Sequence, residues 1–152
     1  MGDVAIKDDS VREQIMFLER FIAENIDSTL DQCTLRHFFA PGCYAREMTI
    51  PKGTIIIGKI HKHAHVNIIS AGVALVVTES GKMTIKAPHT FISTPGTKRV
   101  VRALEDVIWT TIHVTEETDL EKIEDYVIAK SYEEFDALSD ATRKSEQLEV
   151  QS

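Results

Sequence analysis

No stretch of this 152-residue chain approaches the roughly 18 consecutive apolar residues that a bilayer-spanning helix requires. A helical membrane anchor is excluded, and no membrane partner is expected. The opening Met1-Gly2-Asp3-Val4-Ala5 carries an acid and no charged-then-apolar export pattern, which predicts a cytoplasmic protein. Cysteine is scarce. Cys33 and Cys43 stand ten residues apart, a spacing that fits neither a zinc ribbon nor a redox motif, so two free thiols acting as small apolar residues are expected. A glycine-rich phosphate loop, a nucleophile elbow and a Cys-His pairing are all missing, as are internal repeats and low-complexity tracts. What remains, 43% hydrophobic and 27% charged residues, suits one ordinary domain with a core of its own.

Basic residues are in the minority, 17 against 24 acids for a net charge of −7, which argues against generic nucleic-acid binding. Their placement is uneven. Eight of them, with the single acid Glu79, fall between Lys52 and Arg102, leaving nine basic and 23 acidic residues for the flanks. Two readings follow. Acidic helices dock on a basic centre, or a basic pocket mouth attracts an anionic ligand.

Periodicity divides the chain in three. Ser10 and Glu13 form a capping box, after which Val11, Ile15, Leu18, Ile22 and Ile26 recur at helical spacing, predicting an amphipathic helix over residues 9–27. Over 35–114, short β-branched runs alternate with turn signals such as Pro51-Lys52-Gly53, Ala71-Gly72 and Thr94-Pro95-Gly96. The expected strands are Cys43–Ile50, Thr54–Ile60, His65–Ser70, Val73–Thr78, Met83–Ala87, Phe91–Ser93, Arg99–Ala103 and Val107–Val114. Eight strands without intervening helices are enough to close a double-sheet jelly roll. Helix signals return over 118–138. Thr118 with Glu121 precedes the stripe Leu120, Ile123 and Val127, and Ser131 with Glu134 opens a helix turning Tyr132, Phe135 and Leu138 inward. Residues 139–152 are polar and aperiodic, and a mobile tail is expected there. The predicted architecture is a single domain, an all-β barrel flanked by N- and C-terminal α-helices.

Histidine carries the chemistry. His61, His63 and His65 lie in one short stretch, and His113 lies in a late strand. On one continuous strand, neighbouring i and i+2 side chains share a face roughly 6.6 Å apart, so adjacent pairs can grip one ion. If Lys62–Ala64 turns instead, His61 and His65 face one another across two strands.

From about Tyr44 to Val114 the chain resembles the RmlC-like cupin superfamily, whose first motif is Gly-x5-His-x-His-x3-4-Glu-x6-Gly. Counting back from Gly72 puts His65 in the glutamate slot, His61 at the second histidine and Lys59 at the first. A shorter reading takes His61 and His63 as the pair, with Asn67 in the acidic slot. The second motif, Pro-x-Gly-x2-His, is approximated by Thr94-Pro95-Gly96-Thr97-Lys98-Arg99, with Arg99 in the histidine slot. The resemblance implies a cupin double-stranded β-helix and a pocket inside it. His61-x3-His65-x-Asn67, Pro95-Gly96-Thr97-Lys98 and Trp109-Thr110-Thr111-Ile112-His113 are also similar to small cupin-like proteins of bacteriophages and prophages. Ala64 stands where such proteins often carry an acid.

Two site chemistries stay open. His61, His65 and His113, with His63 as a further candidate, would hold a divalent transition metal with open positions. Alternatively, Arg99 and the histidines would bind a small anion, with Asn67 and Thr111 as neutral hydrogen-bonding groups and Trp109 as pocket wall. Where the resemblance implies a metal site of three histidines and one carboxylate, this chain has Lys59 and Arg99, or Asn67 and Arg99, in two of the four places, and a guanidinium opposes a cation. His37 reads as a strand-surface or interface residue, His89 as a turn residue, and Glu47 as a surface carboxylate sooner than a pocket ligand or base. Catalytic residues are not identifiable. Three functions are weighed: a small-molecule-binding cupin with possible metal-dependent activity, a phage-encoded protein that sequesters an anion or engages a host factor, and a virion structural or assembly part. Self-association as a homodimer is expected, because barrels of this kind expose faces and edges that need cover.

Overall fold

The computed structural model describes residues 11–20 and 32–138. Residues 11–20 form a helix, α1. Eleven strands follow: β1 Thr34–Ala40, β2 Cys43–Ile50, β3 Ile55–Ile57, β4 Ile60–His61, β5 His65–Ala71, β6 Val73–Thr78, β7 Gly81–Lys86, β8 His89–Ser93, β9 Val100–Ala103, β10 Val107–His113 and, after helix α2 (Leu120–Val127), β11 Ile128–Ala129. A last helix, α3, covers 132–138. All pairings are antiparallel. One sheet runs β1-β2-β10-β5-β8, a second runs β3-β9-β6-β7, and β4 pairs with β11.

The strands alternate as a half-buried sheet must. Ile50, Ile69, Val107 and Trp109 from the large sheet meet Ile56, Val76 and Val101 from the small one in the core. Ile69 and Val107 are wholly buried. Close approach of β5 to β10 depends on Gly72, whose φ is +87° and whose pro-Cβ position lies 2.1 Å from the Asp106 carbonyl oxygen. A side chain there is excluded both by backbone conformation and by space.

Several expectations need correction. The predicted run Thr54–Ile60 is two strands. Gly58 donates its N–H to the Arg99 carbonyl at 2.8 Å, after which the chain leaves the small sheet and β4 pairs with β11. No strand is predicted before Cys43, although His37 is read as a strand-surface or interface residue, yet β1 pairs with β2 along its whole length from Thr34↔Thr49 to Ala40↔Cys43. Helix α2 is capped by Asp119, whose carboxylate accepts from the N–H groups of Glu121 and Lys122, and not by Thr118. Leu120 and Leu138 are each 45% exposed, so neither belongs to the inward stripe assigned to it. Ser131 does cap α3, accepting from Glu134 N–H at 3.1 Å. Ser10, Ile22, Ile26 and the tail 139–152 lie outside the described residues, whereas Ile15 of α1 is buried. Cys33 and Cys43 are not joined in a disulfide. Among the described residues no helix is long and apolar enough to cross a membrane.

Acidic helices do dock on the basic centre. Glu19 of α1 pairs with Lys98, Glu124 of α2 with Lys59, and Glu134 of α3 with Lys62. Pairs as exposed as the last two contribute little stability each, but they fix which helix face meets the barrel.

Candidate functional site

The side chains inside the barrel form layers, because in-register neighbours on adjacent strands share a face. The outermost row holds Tyr44 and His113, which are paired, and His65, paired with Ser93. The next holds Arg46, Thr111, Asn67 and Phe91 in consecutive register across β2, β10, β5 and β8. Below it, Met48, Trp109 and Ile69 form an apolar row. A cavity of about 130 Å³ opens over these rows, lined from the small sheet by Ile56 and Val101, with Arg99 just before β9 and Lys59 and Ile128 also on its wall.

Residues 62–64 turn between β4 and β5, so His61 and His65 face one another across two strands. Their ring centroids are 4.3 Å apart, and His113 lies 5.6 Å from His61 and 4.9 Å from His65. All three rings are biased to the neutral form. Burial, then the neighbouring imidazoles and the guanidiniums of Arg99 and Arg46, lower His61 to a pKa of about 3. Burial followed by His65 lowers His113 to about 4, and His65 is shifted down chiefly by burial. His63 takes no part: its ring stacks on Tyr126 at 4.6 Å, outside the cavity.

The structure brings Arg99, Thr111, Trp109 and Asn67 to the cavity wall. Asn67 is 1% exposed, and its amide is already committed. Trp109 Nε1–H donates to its Oδ1 at 3.0 Å, and its Nδ2–H donates to Ser93 Oγ at 2.7 Å. Asn67 thereby locks three strands together and orients the Trp109 wall. Glu47 lies on the opposite face of β2, paired with Arg36 at 3.4 Å. His89 is exposed at the start of β8, and His37 is exposed on β1, where its Nδ1 shares a hydrogen bond with the Tyr44 hydroxyl at 2.7 Å.

Arg46 is the pocket residue that the sequence reading missed. Its signal was strand parity: the alternation that turns Tyr44, Met48 and Ile50 inward turns Arg46 inward too. Arg46 and Arg99 make no ion pair among the described residues, whose pairs involve Arg12, Arg36, Lys59, Lys62 and Lys98. Arg99 lies over the Phe91 ring, 5.3 Å from its centroid, and burial lowers its pKa with no carboxylate to offset the shift.

This donor set suits an anion better than a divalent cation. Three neutral imidazoles are good ligands, but the cavity wall adds two guanidiniums and an ammonium and no carboxylate. Among the described residues, no group of three or more His, Cys, Asp or Glu side chains stands in a metal-holding arrangement. Fixed positive charge at this range opposes a second cation and attracts a negative group.

No protein-family model matches the chain, and no curated protein matches it. Solved structures do. Ectoine synthase from P. lautus superposes with a TM-score of 0.52 at 13% identity, over 71% of this chain and 87% of that one. The fold is a cupin. An RmlC-like cupin from Shewanella frigidimarina (TM-score 0.48, 14% identity, 58% of this chain and 79% of that one) and KdgF from Halomonas sp. (0.49, 14%, 59% and 86%) match less of this cupin. At such identities the likeness speaks for the fold alone, and function has to be argued from the site.

Proposed function

We propose that this cupin binds a small anionic molecule inside its barrel, without a resident metal. Arg99 carries the reading: it is a partly buried cation on the cavity wall with no acidic partner among the described residues. Such a group costs stability until an anion neutralises it. Arg46 would supply a second fork, and the neutral rings of His61 and His65, which line the cavity, would accept or donate hydrogen bonds beside it. Thermal unfolding in chelator, with and without acetate or inorganic phosphate, tests this. Anion-induced stabilisation that persists in EDTA and vanishes in Arg99→Ala is expected; stabilisation abolished by EDTA would overturn it.

One second reading is a metal-dependent activity with His61, His65 and His113 as ligands, for which the three neighbouring rings would have to turn from their present arrangement into a ligating one. Metal content of protein purified without a histidine tag separates the two. Similarity to bacteriophage proteins rests on the three short motifs alone, and mass spectrometry of purified particles tests a virion role. A cytoplasmic location and a homodimer complete the proposal.

A further inference from the structure

Resting on the anion-binding reading, we infer that the ligand is a monocarboxylate with one compact apolar body, of the size of a single six-membered ring. The layering of the cavity argues for this. Its charged groups, Arg46 and Arg99, stand beside the histidine row at one end. Beyond them the wall is Met48, Ile50, Ile56, Val101 and Trp109, with no polar group but the Trp109 N–H, and that donor is used up on Asn67. A purely polar anion would leave this floor in contact with trapped water. An apolar body fills it and gains the burial that drives most small-molecule association.

Size sets the rest. A protein cavity of about 150 Å³ lined by aliphatic and aromatic side chains takes up benzene, so about 130 Å³ matches one ring or a branched chain of similar bulk. A nucleotide, with base, sugar and phosphate, cannot be enclosed. A planar carboxylate suits a guanidinium fork, which can engage it through two parallel hydrogen bonds. Lys59, the remaining cation on the wall, is already paired with Glu124, whose carboxylate also interacts with Arg46, so the charge left to balance belongs chiefly to Arg99. Arg99, laid over Phe91, is held at the side of the cavity where the head group would enter.

Calorimetric titration of the full chain in EDTA with benzoate, acetate, inorganic phosphate, benzyl alcohol, phenyl phosphate and biphenyl-4-carboxylate tests the inference. Benzoate is expected to bind at least about tenfold more tightly than acetate, benzyl alcohol, phenyl phosphate or the biphenyl acid. Arg99→Ala should cost benzoate about tenfold or more, and Met48→Trp should exclude it while sparing acetate. If Met48→Trp does not fold, the ligand series on the unaltered chain decides alone. Acetate and phosphate binding as tightly as benzoate, with dependence on Arg99, would overturn the ring-sized body and leave the anion pocket standing. Phenyl phosphate binding more tightly would overturn the carboxylate head. Benzyl alcohol matching benzoate, or no binding by any probe, would overturn this inference and the anion-binding reading together.

Discussion

Replacing Asn67 with leucine tests how the pocket is built, independently of any ligand. Leucine fills most of the same volume, so the main loss is polar. Trp109 Nε1–H loses its acceptor and Ser93 Oγ its donor, both deep in the barrel. An orphaned buried donor or acceptor costs about 1–3 kcal/mol, so Asn67→Leu should destabilise the protein by about 2–4 kcal/mol. For a chain of this length that corresponds to a fall of about 5–15 °C in Tm. Urea unfolding with an unchanged m-value is the assay. Trp109→Phe removes the orphan donor along with part of the ring, so the double variant should lose less than the two single losses combined. The expected coupling is about 1 kcal/mol or more. Strict additivity, or an Asn67→Leu cost under about 0.5 kcal/mol, would refute the claim that Asn67 organises the wall. It would return Asn67 to the set of available ligand-binding groups.

Three further outcomes are expected. Because His61, His65 and His113 have lower pKa values in the folded state than in the unfolded chain, unfolding takes up protons below about pH 6.5. Their effect on stability is therefore nil above that pH. Stability then falls as pH drops towards about 4 and levels off once the folded rings themselves protonate. Urea midpoints measured against pH should show the fall, and His113→Gln should flatten it; an unflattened curve would remove the neutral-ring assignment. Gly72→Ala should cost about 3 kcal/mol or more, since it combines a positive φ with a clash against the Asp106 carbonyl, and near-neutral unfolding data would contradict the close approach of β5 to β10. The β1 edge exposes Leu35 and Phe38, so light scattering should give twice the monomer mass and Phe38→Asp should lower it; a monomeric unaltered chain would refute edge-mediated self-association.

Much of the barrel was legible because its strands alternate. The bounds expected for β2 and β6 are those observed, Cys43–Ile50 and Val73–Thr78. β1 gave no such signal, because all seven of its residues are exposed and nothing sorts its two faces by polarity. β4 and β11 are two residues each, too short for any period to register. At the site, the facing of His61 and His65 was one of two geometries the sequence left open, the one in which Lys62–Ala64 turns, and His113 joins them from β10. That same turn throws His63 out towards Tyr126, which i+2 spacing on a straight strand would not suggest. Asn67 was legible as a pocket residue but its hydrogen bonds to Ser93 and Trp109 were not, since these partners are 26 and 42 residues away.

The charge logic of the cavity can be tested directly by anomalous diffraction from crystals soaked in bromide, with data collected at the bromine edge and at the transition-metal edges. An anion pocket predicts a bromine peak within hydrogen-bonding reach of Arg46 and Arg99 and no metal peak among the three imidazoles. A transition-metal peak coordinated by His61, His65 and His113, with no bromine beside the guanidiniums, would contradict it.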